Sequence, residues 1–113
     1  MIRGFEEAEL MALFLDGPAY IGTPEAGEML FQRKYDNGLS AILFLDIHGG
    51  RMEVSICWGD HACVASYAAD VDRIAAYSSA VLFWRGGSMI AELRMEPYPH
   101  LNLIQKNMPD YSG

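Results

Sequence analysis

Residues 39–58 constrain the fold more than any other part of the chain. Apolar side chains alternate with small or polar ones on both sides of Gly49-Gly50, the pattern of two half-buried strands. A two-residue Gly-Gly loop suits tight hairpins because both positions tolerate positive φ. Such a loop pairs His48 with Arg51 and places the apolar residues on one face. The predicted cross-strand pairs are Ile47–Met52, Leu45–Val54, Leu43–Ile56 and Ala41–Trp58.

A further strand is predicted over residues 28–35, before this hairpin, and residues 36–38 (Asp-Asn-Gly) connect the two. A three-residue loop with Gly38 in a left-handed bulge keeps the apolar faces together, whereas a one-residue slip inverts them. The three strands then form an antiparallel meander. The predicted pairs are Leu39–Tyr35, Leu43–Phe31 and Leu45–Met29.

The other face of this meander is not fully polar. Three apolar residues lie there among polar and charged ones: Leu30, Ile42 and Phe44, with Gln32, Lys34, Ser40, Asp46, Glu53 and Ser55. An apolar patch flanked by charge on an open sheet face is typical of a contact surface. Covering of this face by the C-terminal tail is an equally open alternative.

Two helices are predicted. The first covers residues 5–16, with acidic residues in its opening turns and a stop at Gly17-Pro18. Its apolar half, residues 10–15, packs against the sheet or against a partner. The second is a short helix near 68–77, with Val71, Ile74 and Ala75 on one face and Asp70, Asp72 and Arg73 on the other.

The remaining residues predict a second hairpin over 80–96, closed by Gly86-Gly87. Its predicted pairs are Arg85–Ser88, Trp84–Met89, Phe83–Ile90 and Leu82–Ala91. A short strand is predicted around 62–65, and an edge strand over 100–106 with Leu101 and Leu103 inward. We therefore predict a single α+β domain over residues 1–113: an antiparallel sheet of five to six strands, the N-terminal helix and the short helix near 68–77.

The chain is acidic, with 15 acidic and 8 basic side chains and a formal charge of −7. This charge repels phosphates, so nucleic-acid binding is not expected, whereas it attracts a basic protein. Solubility alone is the alternative reason for the acidity. No apolar run approaches the ~20 residues that span a bilayer. The acidic N-terminal region lacks the pattern of a secretory signal, so we expect a soluble, cytoplasmic protein.

One cluster contains side chains of the kinds that bind metals or act in catalysis: Cys57, His61 and Cys63, with Asp60 between them. Thiolate and imidazole bind zinc, and a Cys–His pair is a nucleophile and its base. The spacing matches no common zinc pattern, and the glycine pairs are not phosphate loops. We read the cysteines as free thiols of a reducing cytosol and assign no catalytic, cofactor-binding or metal-binding residue.

A small, acidic, sheet-rich cytosolic protein without catalytic residues is similar in overall type to bacterial immunity proteins and phage-encoded inhibitors. This resemblance is at the level of class and rests on no specific residue. It implies a non-enzymatic module that neutralises a toxin or other basic protein by occluding its working surface. The candidate contact residues are Asp46, Glu53, Asp60, Glu92, Glu96 and Phe44. The alternatives are a small Cys/His- or metal-dependent hydrolase, and a structural subunit whose apolar helix makes a homodimer.

Overall fold

Two antiparallel sheets and one α-helix make up the part of the chain that the computed structural model describes, residues 1–15, 18–59 and 62–104. The predicted α+β class and N-terminal helix are therefore confirmed. The elements in chain order are α1 (Glu7–Phe14), β1 (Ala19–Tyr20), a 3-10 turn (Pro24–Ala26), β2 (Glu28–Lys34), β3 (Leu39–Asp46), β4 (Arg51–Trp58), β5 (Ala62–Asp70), β6 (Arg73–Tyr77), β7 (Ala80–Arg85), β8 (Ser88–Arg94) and β9 (His100–Leu103).

The strands form two sheets, where the sequence predicted one sheet of five to six strands. The first sheet has the order β1-β2-β3-β4-β5 and the second β6-β7-β8-β9. Their inward side chains form one hydrophobic cluster, with Phe31, Leu43 and Val54 from the first sheet and Phe83 and Leu93 from the second, all fully buried. The second sheet therefore covers the first, in the layered arrangement of packed sheets.

The predicted meander of β2, β3 and β4 is confirmed, and so is the bulged turn before β3. Phe31 lies opposite Leu43, and the Tyr35 N–H donates to the Leu39 carbonyl at 2.8 Å. Gly38 has φ +94°, the left-handed conformation that this turn requires. The turn keeps the apolar residues of both strands on one face.

The predicted register of the β3–β4 hairpin is wrong by two residues. Leu43 lies opposite Val54 rather than Ile56, and the strands end at Asp46 and Arg51. The turn therefore has four residues, not the two of a Gly-Gly loop. Because strand side chains repeat every two residues, a shift of two leaves each apolar residue on its predicted face.

Hydrogen bonds within and beyond this turn explain the longer loop. The Asp46 carboxylate accepts the Gly49 N–H at 2.9 Å, and the Asp46 carbonyl accepts the Gly50 N–H at 2.9 Å. The backbone of Ile47 bonds outside the hairpin, its N–H to Gly27 and its carbonyl to Ile2. These bonds hold Ile47 away from the Met52 pairing that the sequence predicted.

The second hairpin has the predicted Gly86-Gly87 loop, with Arg85 opposite Ser88 and Trp84 opposite Met89. Beyond that point a bulge between Phe83 and Trp84 shifts the ladder by one residue, so the other two predicted pairs are wrong. The observed pairs are Phe83–Ala91 and Leu82–Glu92.

The physical reason for this bulge lies in β8. Without it, Glu92 would face Val81 on the inward side of the sheet. With it, Leu93 faces Val81 and both are fully buried, while Glu92 points outward. The bulge therefore removes a carboxylate from the core, where burial is costly without a partner.

The predicted helix near 68–77 is wrong, because its residues end β5 and form β6. Tyr67 and Ala69 pack partly buried against the core, and Val71 is buried, a repeat of two residues. Alanine occupies both faces of this segment and hides that alternation in the sequence. A helix of this length is marginal alone, whereas both strands complete a hydrogen-bonded sheet. The predicted short strand at 62–65 is the start of β5.

Helix α1 is shorter than predicted and packs against the core through one side only. It contacts β2 and β6, burying Leu10 and Phe14, and Phe14 lies 5.6 Å from Phe31 between ring centroids. Leu15, with φ 67°, ends the helix, whereas the predicted stop at Gly17 lies outside the described residues. No helix among the described residues is long and apolar enough to cross a membrane.

Strand β9 is also shorter than the predicted edge strand over 100–106, whose last two residues lie outside the described part of the chain. Leu101 packs against the core as predicted. Leu103 lies on the same strand face at the open end of the sheet and remains 53% exposed.

The packing of α1 predicts a clear contrast between two truncations. Phe14→Ala is expected to lower the free energy of unfolding by about 3–5 kcal/mol, because it leaves a cavity in the core. Met11→Ala, at a position 42% exposed on the same helix, is expected to change it by no more than about 0.5 kcal/mol. Urea unfolding followed by tryptophan fluorescence measures both. Equal losses would contradict the docking of α1 through its Leu10 and Phe14 side.

Candidate functional site

The outward face of the first sheet carries an apolar depression of about 340 Å³. Strands β2, β3 and β4 build it, because Leu30 lies opposite Phe44 and Ile42 lies opposite Ser55. These four side chains are half-buried, and Glu53 completes the lining. The structure therefore confirms that Leu30, Ile42 and Phe44 share the face turned away from the core. We call these five residues the outer patch.

Glu53 and Phe44 are the two predicted contact residues that the structure brings together. They are direct cross-strand partners, and Glu53 is exposed. No ion pair among the described residues involves Glu53. An uncompensated carboxylate thus lies beside an aromatic ring in the outer patch.

Asp46 belongs to the same sheet face but has a structural role. Its carboxylate accepts the Gly49 N–H and so holds the turn after β3. A carboxylate that satisfies its own turn is less available to a partner than an unpaired one.

The other predicted acidic contacts lie elsewhere. Glu92 is on the second sheet, 3.2 Å from the Arg94 guanidinium, and it accepts a hydrogen bond from Asn102. Glu96 follows β8 and pairs with Arg33 at 3.2 Å, and it also accepts the Ser79 hydroxyl. Both carboxylates therefore already have basic partners within the chain. Asp60 lies outside the described residues.

Arg33 and Tyr35 connect the two sheets next to Glu96. The Arg33 guanidinium donates to the Leu13 carbonyl and lies 4.8 Å from the centre of the Tyr35 ring. The Tyr35 hydroxyl donates to the Met95 carbonyl at 2.6 Å. This cluster ties β2 to the end of β8 and to the last turn of α1.

Two tyrosine hydroxyls, those of Tyr35 and Tyr20, have a raised pKa. Burial raises the pKa of Tyr35 above its usual value; the Arg33 guanidinium opposes this rise and the Glu96 carboxylate adds to it. At the protein surface, the hydrogen bond that Tyr20 donates to the Glu7 carboxylate raises the pKa of Tyr20. Neither hydroxyl lies in the outer patch.

The cysteine cluster differs from the sequence prediction. Cys57 and Cys63 are cross-strand partners with Cα atoms 3.8 Å apart, and they form a disulfide. The prediction of free thiols is therefore wrong, and neither cysteine is a thiol nucleophile in this state. Recognition of β5 as the neighbour of β4 was the missing signal, because that pairing brings the two cysteines together. His61 lies outside the described residues.

No group of three His, Cys, Asp or Glu side chains within the described residues is arranged to hold a metal ion. His48 has its Nε2 atom 2.9 Å from the Glu25 carbonyl oxygen, and His100 begins β9. These two histidines therefore lie at the turn beside β3 and at the edge of the second sheet.

A second apolar feature was missed by sequence reasoning. A cleft of about 570 Å³ lies between β5 and β9, at the side of the protein where the two sheet edges do not meet. Its most exposed apolar residues are Trp58, Val64 and Leu103. No local pattern reveals it, because its walls come from two sheets whose packing is a tertiary feature.

Comparison with known proteins gives a likeness of fold. No family model and no curated protein matches the sequence. Among solved structures, the chain is similar to a chain of the contact-dependent growth inhibition toxin–immunity protein complex from Klebsiella pneumoniae 342. The TM-score is 0.71 at 15% sequence identity, over 89% of this chain and 94% of that chain. At this identity the likeness shows a shared fold.

The Tyr35 contact predicts a pH-dependent contribution to stability. Tyr35→Phe is expected to lower the free energy of unfolding by about 1 kcal/mol at pH 7, because the bond to the Met95 carbonyl is lost. The raised pKa means that the folded state holds the phenolic proton more tightly than the unfolded state. This contribution is fully present below the ordinary pKa of about 10 and is lost as the pH rises through the folded-state value.

Urea unfolding at pH 7, 9 and 10.5 measures this contribution, and Tyr77→Phe is the matched control because Tyr77 is 72% exposed. The Tyr35→Phe variant is expected to lose less stability than the wild type between pH 9 and 10.5. An unchanged alkaline slope in that variant would contradict the assignment.

Proposed function

We propose that this protein is a non-enzymatic binding module of the immunity type, which neutralises a toxin or another basic protein by covering its working surface. The observation that carries the proposal is the outer patch, where Glu53, which forms no ion pair within the described residues, lies directly beside Phe44 on a half-exposed apolar surface. The fold likeness to a chain of a toxin–immunity complex and the charge of −7 support it.

The outer patch has the composition of a small binding hot spot. An aromatic anchor with neighbouring aliphatic side chains provides the apolar area, and Phe44, Ile42 and Leu30 form such a group. Glu53 at its margin offers a carboxylate to a lysine or arginine of the partner, where the apolar surroundings exclude water and strengthen the ion pair. The overall negative charge raises the rate of encounter with a basic surface.

Of the predicted contact residues, we therefore base the proposal on the two in the outer patch, Glu53 and Phe44. Glu92 and Glu96 already form ion pairs, and Asp46 holds its own turn. A partner that used these groups would first have to break an internal contact. A partner that used Glu53 would break no ion pair of the part of the chain that the structure describes.

The other hypotheses from the sequence have less support. A Cys-dependent hydrolase needs a thiolate, and both cysteines are in a disulfide. A homodimer through the apolar helix needs a free apolar side, whereas Leu10 and Phe14 are buried against the protein's own sheets. The cytoplasmic location stays a prediction, and the free-thiol argument for it no longer holds.

The test is protection of growth. Cells that express a cognate toxin domain of the contact-dependent growth inhibition type are expected to grow when they also express the wild-type protein. Glu53→Lys is expected to weaken the complex at least tenfold, because it places like charge against a basic surface. Phe44→Ala is expected to weaken it about thirtyfold, because it removes the anchor. Calorimetric titration of the purified pair measures both.

Glu25→Lys is the matched control for charge. Glu25 is exposed in the turn before β2, and this substitution also changes the net charge from −7 to −5 (−7 + 2). It is expected to change affinity less than twofold at physiological ionic strength, where distant charges are screened. The proposal fails if the wild type gives no protection, or if Glu25→Lys weakens the complex as much as Glu53→Lys does.

A further inference from the structure

The disulfide between β4 and β5 joins two cysteines of unequal accessibility. Cys57 is only 6% exposed, whereas Cys63 is exposed near the start of β5. A disulfide is broken by a thiolate that reaches one of its sulfurs, so exposed disulfides are the labile ones. Because of this difference in burial, Cys63 is the residue that a second thiol can reach.

A depression of about 300 Å³ adjoins the disulfide on the outward face of the first sheet. Both cysteines line it, together with Gln32, Ser40 and Ile42 among others. Its volume lies at the lower end of the range of ligand pockets, so it suits a small molecule. A low-molecular-weight thiol therefore has room beside the disulfide.

The strand β4 keeps other contacts when the disulfide opens. Cys57 pairs with Ser40 of β3 on its other side, and the Gly59 N–H donates to the Gly38 carbonyl at 2.8 Å. At the start of β5 the ladder shifts, so that Val64 has no residue opposite it on β4. Opening of the disulfide therefore loosens the start of β5 and leaves β4 in the sheet.

A basic side chain lies near the disulfide on the same outward face. Lys34 is opposite Ser40 and Ser40 is opposite Cys57, so two strand spacings, about 10 Å, separate Lys34 from Cys57. No ion pair among the described residues involves Lys34. Its ammonium group therefore attracts a thiol that carries carboxylates, and it favours the thiolate form of the attacking sulfur.

We propose that this disulfide is an exchange site for an anionic low-molecular-weight thiol, in which Cys63 is attacked and Cys57 is the leaving group. The incoming thiolate bonds to the Cys63 sulfur as the protein disulfide breaks. Cys57 leaves as a thiolate and takes up the proton that the incoming thiol lost. A second thiol molecule then displaces Cys63 from the mixed disulfide and forms a small-molecule disulfide, so two thiols are oxidised and the protein disulfide is reduced.

This site goes beyond the proposed function, because the exchange involves no protein partner. Reduction of the native wild type by excess glutathione, followed by alkylation and intact mass, tests whether the disulfide is accessible. The rate is expected to lie within about tenfold of the rate in denaturing urea, because Cys63 is already exposed. A disulfide that glutathione reduces only in urea overturns the proposal.

The variants Cys57→Ser and Cys63→Ser separate the two roles. With glutathione disulfide, Cys57→Ser is expected to gain one glutathione and to release one reduced glutathione. Cys63→Ser is expected to react about tenfold more slowly, because Cys57 is buried. Equal rates in the two variants overturn the assignment of roles.

Peptide mapping of the acid-quenched wild type gives the same information without a substitution, should either variant fail to fold. The transient mixed disulfide is expected on Cys63. Glutathione found on Cys57 instead overturns the proposal.

The class of thiol is tested with Lys34→Gln. This variant is expected to react about threefold more slowly with glutathione and as fast as the wild type with the neutral thiol 2-mercaptoethanol. Arg85→Gln is the matched control, because it removes one positive charge from an exposed position on the second sheet, and it is expected to leave both rates unchanged. Equal slowing of both thiols by Lys34→Gln, or no slowing of either, overturns the assignment of an anionic thiol.

Discussion

Burial of the two inward sheet faces against each other is the interaction on which the structure depends. Each sheet is apolar on its inner side, and neither could remain in water alone. Phe31 and Leu43 from the first sheet and Phe83 from the second belong to one cluster, and Phe14 of α1 extends it between β2 and β6. The outward faces do not form the core, so their side chains need not be apolar. The outer patch lies on one of these faces.

Turns and bulges decide which residues reach that core. The glycine turn before β3 and the bulge in the second hairpin each correct the register by one residue, and each keeps a polar group out of the apolar cluster. The sequence revealed the first because Asp-Asn-Gly is a strong turn signal. It did not reveal the second, because a bulge inside a run of apolar residues has no local signature. Only the cost of burying Glu92 indicates it.

The candidate site shows the same contrast between features with a local sequence signal, which could be predicted, and features that arise from tertiary contacts, which could not. Leu30, Ile42, Phe44 and Glu53 could be assigned to one outward face because strand periodicity sorts side chains without knowledge of the rest of the fold. The ion pair between Glu96 and Arg33 and the hydrogen bond from Asn102 to Glu92 could not be foreseen, since each joins residues of different elements. The disulfide and the cleft beside β9 were also hidden, because both arise where separate strands meet.

The four-residue turn between β3 and β4 has a consequence for the specificity of folding. A hairpin displaced by two residues would still bury the same side of every strand, so hydrophobic contacts distinguish poorly between the native and the displaced ladder. The discrimination falls to a few polar groups, chiefly the Asp46 carboxylate on the Gly49 amide and the Ile47 amide on the Gly27 carbonyl. In this protein, polar contacts at a surface loop select one alignment from two that the apolar core would accept.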